Sequence, residues 1–303
     1  MFECLVLVRF VHFAAVFALF GAALFWLYAV ADSRDAAASL PRSFAATRIL
    51  LKIAALVAAA SGLVWLAATL ANMTNAGDGL DFSGLADPEN WRAFFFETAF
   101  GPPWALRLVV LGAIVLAAFG RAAPRLRALC VLGAALLASQ AFLGHAAQGG
   151  LSPRGLAMLA AYAAHLGAAA AWTGGLAPLL LALCELRRRD GEALGILRRF
   201  STMAFVAAPV AVAAGALNVW FRTGGALTSL AGADYGRALL VKLFLVAVML
   251  ALGAFNRFAF MPRLRDANDG GERGLRISVA AELAAGVVVL MAAAVLGVTP
   301  PPS

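Results

Sequence analysis

Two histidines, His12 and His165, lie inside long apolar runs, and each is followed nine residues later by a glycine, Gly21 and Gly174. An imidazole can ligate copper, zinc, iron or nickel. An ionisable group retained within an apolar span faces the bundle interior and serves an ion, a cofactor or a proton path. The competing reading is a hydrogen bond satisfied inside the bundle. The third histidine, His145, closes another apolar run with Gln148 nearby. Soft donors accompany these imidazoles. Met158, Tyr162 and His165 fall at i, i+4 and i+7, and Met1, Cys4 and His12 at i, i+3 and i+11, each set on one helix face. Imidazole with thioether or thiolate favours copper, Cu(I) above all, over magnesium or calcium. The metal reading takes His12, His145 and His165 as ligands, with Met1, Cys4 and Met158 as auxiliaries. Ordinary packing and a frayed terminus are the alternatives for those three. Arg9, Arg107 and Lys242 lie near the same ends of their runs. They read either as cations reaching for headgroups or the acidic loop, or as a fixed positive field beside the site. Such a field would favour an anionic ligand or tune metal release.

The elements that position these residues come twice. His12 and Gly21 recur at an offset of 153 residues as His165 and Gly174, and the same offset carries Gly62 onto Gly215. Phe100-Gly101 lies seven residues before Arg107, as Tyr235-Gly236 lies seven before Lys242. Each echo ends in Pro-Arg-Leu-Arg, at 124–127 and 262–265. The chain therefore reads as two homologous halves, 1–150 and 151–303.

Hydrophobic residues make up 63% of the sequence, charged residues only 13%, and mean hydropathy is +0.88. A soluble domain carries about twice that charge. The net charge of +8 does not point to nucleic acid, because the arginines occupy short loops between apolar runs. Spans need about 20 apolar residues, which gives eight, near 5–30, 48–71, 103–120, 126–144, 156–184, 201–221, 237–256 and 277–298. The expected fold is an all-α polytopic membrane protein of eight transmembrane helices in two parallel four-helix repeats. Alternate linkers carry the basic residues: Arg34, Arg42, Arg48 and Lys52; Arg121, Arg125 and Arg127; Arg187–Arg189, Arg198 and Arg199; and Arg257, Arg263, Arg265, Arg273 and Arg276. The remaining linkers hold Arg92, Arg154 and Arg222. The positive-inside rule then puts both termini outside, in the periplasm of a bacterial cell. Ala29-Val30-Ala31 resembles a cleavage site, but Glu3 and an apolar run of roughly 25 residues argue for a span that is kept.

With that orientation His12 and His165 both lie roughly 10–14 Å inside the outer end of their spans, and His145 lies at an outer end. Parallel repeats are related by an axis along the membrane normal, so equivalent residues share a depth and can face each other across that axis. The outer linker Asn72–Pro102 holds Asp78, Asp81, Asp87, Glu89 and Glu97, in no metal-ligand spacing, and reads as a solvated acidic loop. Glu282, near the inner end of the last span, reads as an arginine partner or as part of a proton path. Cys4, Cys130 and Cys184 are far apart and form no CxxC.

The residues resemble a known family. Leu197-Arg-Arg-Phe-Ser201, Ala214-Gly-Ala-Leu-Asn218, Tyr235-Gly-Arg-Ala-Leu-Leu-Val-Lys242 and Asn256-Arg-Phe258 with Pro262-Arg-Leu264 are similar to the copper resistance D (CopD) family. Arg9-Phe-Val-His-Phe13, Phe100-Gly101 with Trp104 and Arg107, Gly144-His-Ala146, and His165 with Trp172 and Gly174-Gly175 extend the likeness to the first half. The resemblance implies a non-enzymatic inner-membrane protein of copper homeostasis that takes copper across the membrane with a separate periplasmic carrier of the CopC type. The motifs of a transport ATPase, GxxxxGK[ST] and Cys-Pro-Cys, are missing. Two other readings stand beside import. One is electron transfer through a haem b held by His12 and His165, with propionates on Arg9 or Arg107. The other is a factor that hands copper to a partner without moving it across.

Overall fold

Apolar runs long enough to cross a bilayer fold as helices because only a helix satisfies every backbone polar group within one segment in lipid. The computed structural model describes residues 2–30, 40–74, 81–120, 125–144, 147, 149–186, 190–230, 233–265 and 269–299. Its helices are α1 (Phe2–Tyr28), α2 (Pro41–Thr74), α3 (Pro88–Glu97), α4 (Gly101–Phe119), α5 (Leu126–Ser139), α6 (Pro153–Gly174), α7 (Leu176–Glu185), α8 (Asp190–Arg222), α9 (Asp234–Phe255), α10 (Met261–Arg265) and α11 (Asp269–Leu296). Among the described residues eight stretches are long and apolar enough to span a membrane, one for each run expected from sequence.

Three of the described spans depart from a single helix, the fourth by ending in a 3-10 turn, Gln140–Leu143. The fifth breaks into α6 and α7 at Gly174-Gly175, where a Cβ on Gly175 would lie 2.6 Å from the Phe200 ring. The seventh passes from α9 through a π-turn, Asn256–Phe260, into α10. Local chemistry sets several helix starts. Asp87 caps α3 by accepting from Glu89 N at 2.9 Å, and Ser152 caps α6 by accepting from Gly155 N at 3.1 Å. The Glu185 carboxylate at the end of α7 accepts from Arg42 N, Ser43 N and Ser43 Oγ at 3.1, 2.7 and 2.5 Å. A carboxylate at a helix N-terminus meets free N–H groups and the positive end of the dipole, so this contact ties α2 to the fifth span.

The core centres on α1, which packs against α2, α5, α6 and α11. Leu19, Ala22, Ala23, Phe25 and Trp26 are at most 1% exposed. Where α1 crosses α6, the contact is backbone on backbone: a Cβ on Gly21 would lie 2.5 Å from Gly174 Cα, and a Cβ on Gly174 would overlap Phe17 O. Small residues allow this approach, and in lipid close packing is a main source of helix association. A second matched contact lies where α4 and α9 begin. A Cβ on Gly101 would overlap Phe95 O, and one on Gly236 would overlap Leu230 O, six residues back in both cases. In the first half α2 packs along α4. In the second half α8 and α9 make no extended contact, and α8 reaches the seventh span through α10. That span is the least buried, with Leu240, Leu243, Phe244, Phe255 and Phe258 turned outward.

Candidate metal site at two membrane-embedded histidines

His12, on α1, is 1% exposed and both of its ring nitrogens are engaged. Nε2 lies 2.8 Å from Arg107 Nη2, on α4. A guanidinium can only donate, so Nε2 accepts and Nδ1 carries the hydrogen. Nδ1 donates to Ala58 O on α2 at 3.1 Å, with Ser61 Oγ also at 3.1 Å. The Trp65 indole meets the imidazole edge-on at 5.5 Å. Gly62 leaves room for the ring, since a Cβ there would lie 3.4 Å from His12 Cε1.

Arg107 is wholly buried. Besides His12 it donates to Ser139 Oγ at 2.8 Å and Leu136 O at 3.2 Å, and it lies 5.3 and 5.7 Å from the Trp104 and Trp65 ring centres. No described carboxylate pairs with it. The guanidinium neither reaches for headgroups nor joins the acidic loop; Arg92 in that loop pairs locally with Glu89 and Glu97.

His165, on α6, makes the corresponding contact in the second half. Its Nδ1 lies 2.7 Å from Ala211 O on α8, 46 residues along the chain, the same separation as His12 to Ala58. Gly215 again makes room, with a Cβ there 3.0 Å from His165 Cε1. The carbonyl can only accept, so Nδ1 carries the hydrogen and Nε2 presents a lone pair. Nε2 has no hydrogen-bond partner among the described residues.

The two imidazoles do not face each other. His12 addresses α2 and α4, and His165 addresses α8. The reason is helical phase. Each lies nine residues from the Gly21–Gly174 crossing, about two and a half turns at 3.6 residues per turn, and so points away from the α1–α6 contact. A haem shared between them would require both rings to turn and His12 to release Arg107.

The remaining expected residues are dispersed. Arg9 lies 4.7 Å from the Trp65 ring centre and packs against Gly297 at the end of α11. Lys242 lies on α9. Cys4 is exposed, and Met158 Sδ would lie 3.4 Å from a Cβ on Gly149. Met1 and His145 lie outside the described residues. Among the described residues no three His, Cys, Asp or Glu side chains gather as a metal-holding group. Among the described residues Glu282 pairs with no arginine. Its oxygens accept from Trp172 Nε1 at 2.7 Å and Asn256 Nδ2 at 3.0 Å. Sequence reasoning missed this triad and the Arg107–His12 bond, since both join residues from separate helices.

Fold and site together define an eight-span helical membrane protein that holds one carbonyl-anchored imidazole between its first and second spans and another between its fifth and sixth. The chain belongs to the copper resistance protein D family: residues 1–155 match the copper resistance protein D-like N-terminal domain and residues 194–296 match copper resistance protein D. It is 31% identical to copper resistance protein D of Pseudomonas syringae pv. tomato, covering 97% of this chain and 96% of that one. Inner membrane protein YebZ of Escherichia coli is 29% identical, with 97% of each chain covered. Copper transport protein CutJ of Bacillus subtilis is 32% identical over 75% of this chain, which spans 41% of its length. No solved structure matches the chain.

Proposed function

We propose that this protein resides in the bacterial inner membrane, binds copper through His12, His145 and His165 near the periplasmic face, and imports it. The matched imidazole-to-carbonyl hydrogen bonds carry this reading. A metal-ligating histidine ordinarily donates its other ring N–H to a carboxylate or carbonyl, which fixes the tautomer and orients the ligand nitrogen. His165 is anchored in that way with Nε2 free for copper. His12 is anchored in that way too, but its Nε2 is covered by Arg107, which must move before a metal binds there. Copper here is cargo. The Bacillus relative is a copper transport protein, which supports this role.

The basic loops support a topology with both termini in the periplasm. Two parallel four-span repeats, divided near residue 150, fit the recurrence of the histidine anchor, the paired crossing glycines and the six-residue glycine contacts. A separate CopC-type carrier would deliver copper to the outer face. Met1, Cys4 and Met158 would serve as transfer ligands, and Arg9 and Lys242 would supply positive charge that favours release.

The test compares purified wild type with the His12→Ala/His165→Ala double variant by elemental analysis and absorption, then measures copper flux into proteoliposomes. The expected protein is colourless, carries copper that the variant loses, and moves it across the bilayer. Each single substitution should weaken copper binding about tenfold or more. Unchanged affinity in both would refute the ligand assignment. Binding without flux would favour handover, and a Soret band lost in the double variant would favour haem.

A further inference from the structure

A second polar site lies in a cavity of about 230 Å³ between α8 and the seventh span. Its walls are mostly apolar and include Phe200, Phe205 and Leu250. Glu282 enters from α11 and is 3% exposed. Trp172 from α6 and Asn256 from the π-turn each give one hydrogen bond to a different carboxyl oxygen, and both residues line the cavity. Asn256 is 7% exposed, and its Oδ1 is buried with no partner. Met261 N bonds to Asn256 O, five residues back, and this widened turn sets the amide beside Glu282. Single π-turns of this kind frequently mark functional sites in helices.

A carboxyl group buried in a span is costly to keep unless it acts. Here its partners are neutral. Arg257 is the charged group that borders the cavity, but its guanidinium donates to Ser201 Oγ at 2.9 Å and stacks 5.0 Å from the Phe205 ring centre. The side chains that α6, α7 and α8 contribute to the cavity lining include none that is ionisable. The oxygens of Glu282 and Asn256 are hard donors that suit copper(I) poorly.

An amide beside a carboxyl can serve both protonation states. Its NH2 donates to a carboxylate, and after a flip its carbonyl accepts from a carboxylic acid. The unpartnered Asn256 Oδ1 is the acceptor that the second state requires. The polar residues of the lining, Ser201, Asn256, Arg257 and Glu282, give waters in this space their partners, and such waters can bring a proton from the arginine-bearing end of the bundle.

We propose that Glu282, Asn256 and Trp172 form a proton-binding site, and that one proton taken up at Glu282 from water in this cavity accompanies a step of copper movement. The balance is simple: hydronium gives its proton to Glu282 Oε2 and leaves water, and release reverses the step. The copper link rests on the transport reading; the proton site does not.

The experiment is infrared difference spectroscopy of the protein in lipid nanodiscs across a pH series, with wild type beside Glu282→Gln and Trp172→Phe. A carboxylic-acid C=O band that titrates and moves on deuterium exchange is expected in wild type. It should vanish in Glu282→Gln, and Trp172→Phe should shift its frequency. If Glu282→Gln fails to fold, the Trp172→Phe shift still decides. A band unchanged by either variant overturns the proposal. In proteoliposomes, copper flux that follows a pH gradient in wild type and loses that dependence in Glu282→Gln supports the link, and dependence retained overturns it. A wild type that carries no copper refutes the transport reading, while the band still decides the proton site.

Discussion

Replacing Arg107 with methionine tests whether this guanidinium guards the first histidine. In the resting arrangement it caps His12 Nε2 at 2.8 Å. Copper at that nitrogen must first break a hydrogen bond from a charged donor, worth about 1.5–3 kcal/mol. If the guanidinium stays about 4.5 Å from a bound monovalent copper, repulsion adds about 4 kcal/mol at an effective dielectric of 20. Swinging away relieves part of that, so the hydrogen bond sets the lower bound. Arg107→Met should tighten copper binding about tenfold at least, and up to a few hundredfold. The variant should still fold. Ser139 Oγ keeps its bond to Leu136 O at 2.7 Å, methionine fills much of the same volume, and the change removes a buried cation that no described carboxylate pairs with. Affinity is read in nanodiscs by competition with a chromogenic copper chelator, with Arg92→Met, on the exposed helix α3, as control. Unchanged or weaker copper binding by a folded Arg107→Met protein would show that the guanidinium is no guard.

Gly174→Leu would place a branched side chain where Gly174 meets Phe17 O and Gly21; overpacking of about 1–3 kcal/mol or more should lower the detergent melting temperature clearly. Gly215→Ala brings a methyl to 3.0 Å from His165 Cε1 and should displace the ring from Ala211 O, reducing copper affinity several-fold with little change in melting. Ser43→Ala removes the hydroxyl that donates to Glu185 at 2.5 Å and should cost about 1–2 kcal/mol, read as easier unfolding without loss of copper binding.

The eight spans were legible because a bilayer imposes a length and a composition that no other environment demands together. The 153-residue offset went further and paired Gly21 with Gly174, which meet in the fold. It also put His12 and His165 at equivalent positions, and both rings are held by a carbonyl 46 residues on. Facing of the two imidazoles was an error of phase: the nine-residue interval already turned them away, had the crossing been known. Arg107 and His12 are 95 residues apart, and Trp172 and Glu282 are 110. Such pairings depend on which helices are neighbours, which periodicity within one helix does not record. The break at Gly174-Gly175 was hidden because the run from 156 to 184 stays apolar through it.

The bare crossing of α1 and α6 also constrains how this chain can change. Neither backbone can slide past the other, because each occupies the space where the other's side chain would be. One residue inserted between His12 and Gly21 would turn the imidazole by about 100° and move it about 1.5 Å along the helix, away from Ala58 and Arg107 together. Insertions and deletions are therefore barred from these two nine-residue intervals. The depth and heading of each histidine are set by a ruler that begins at a glycine on the other side of its own helix.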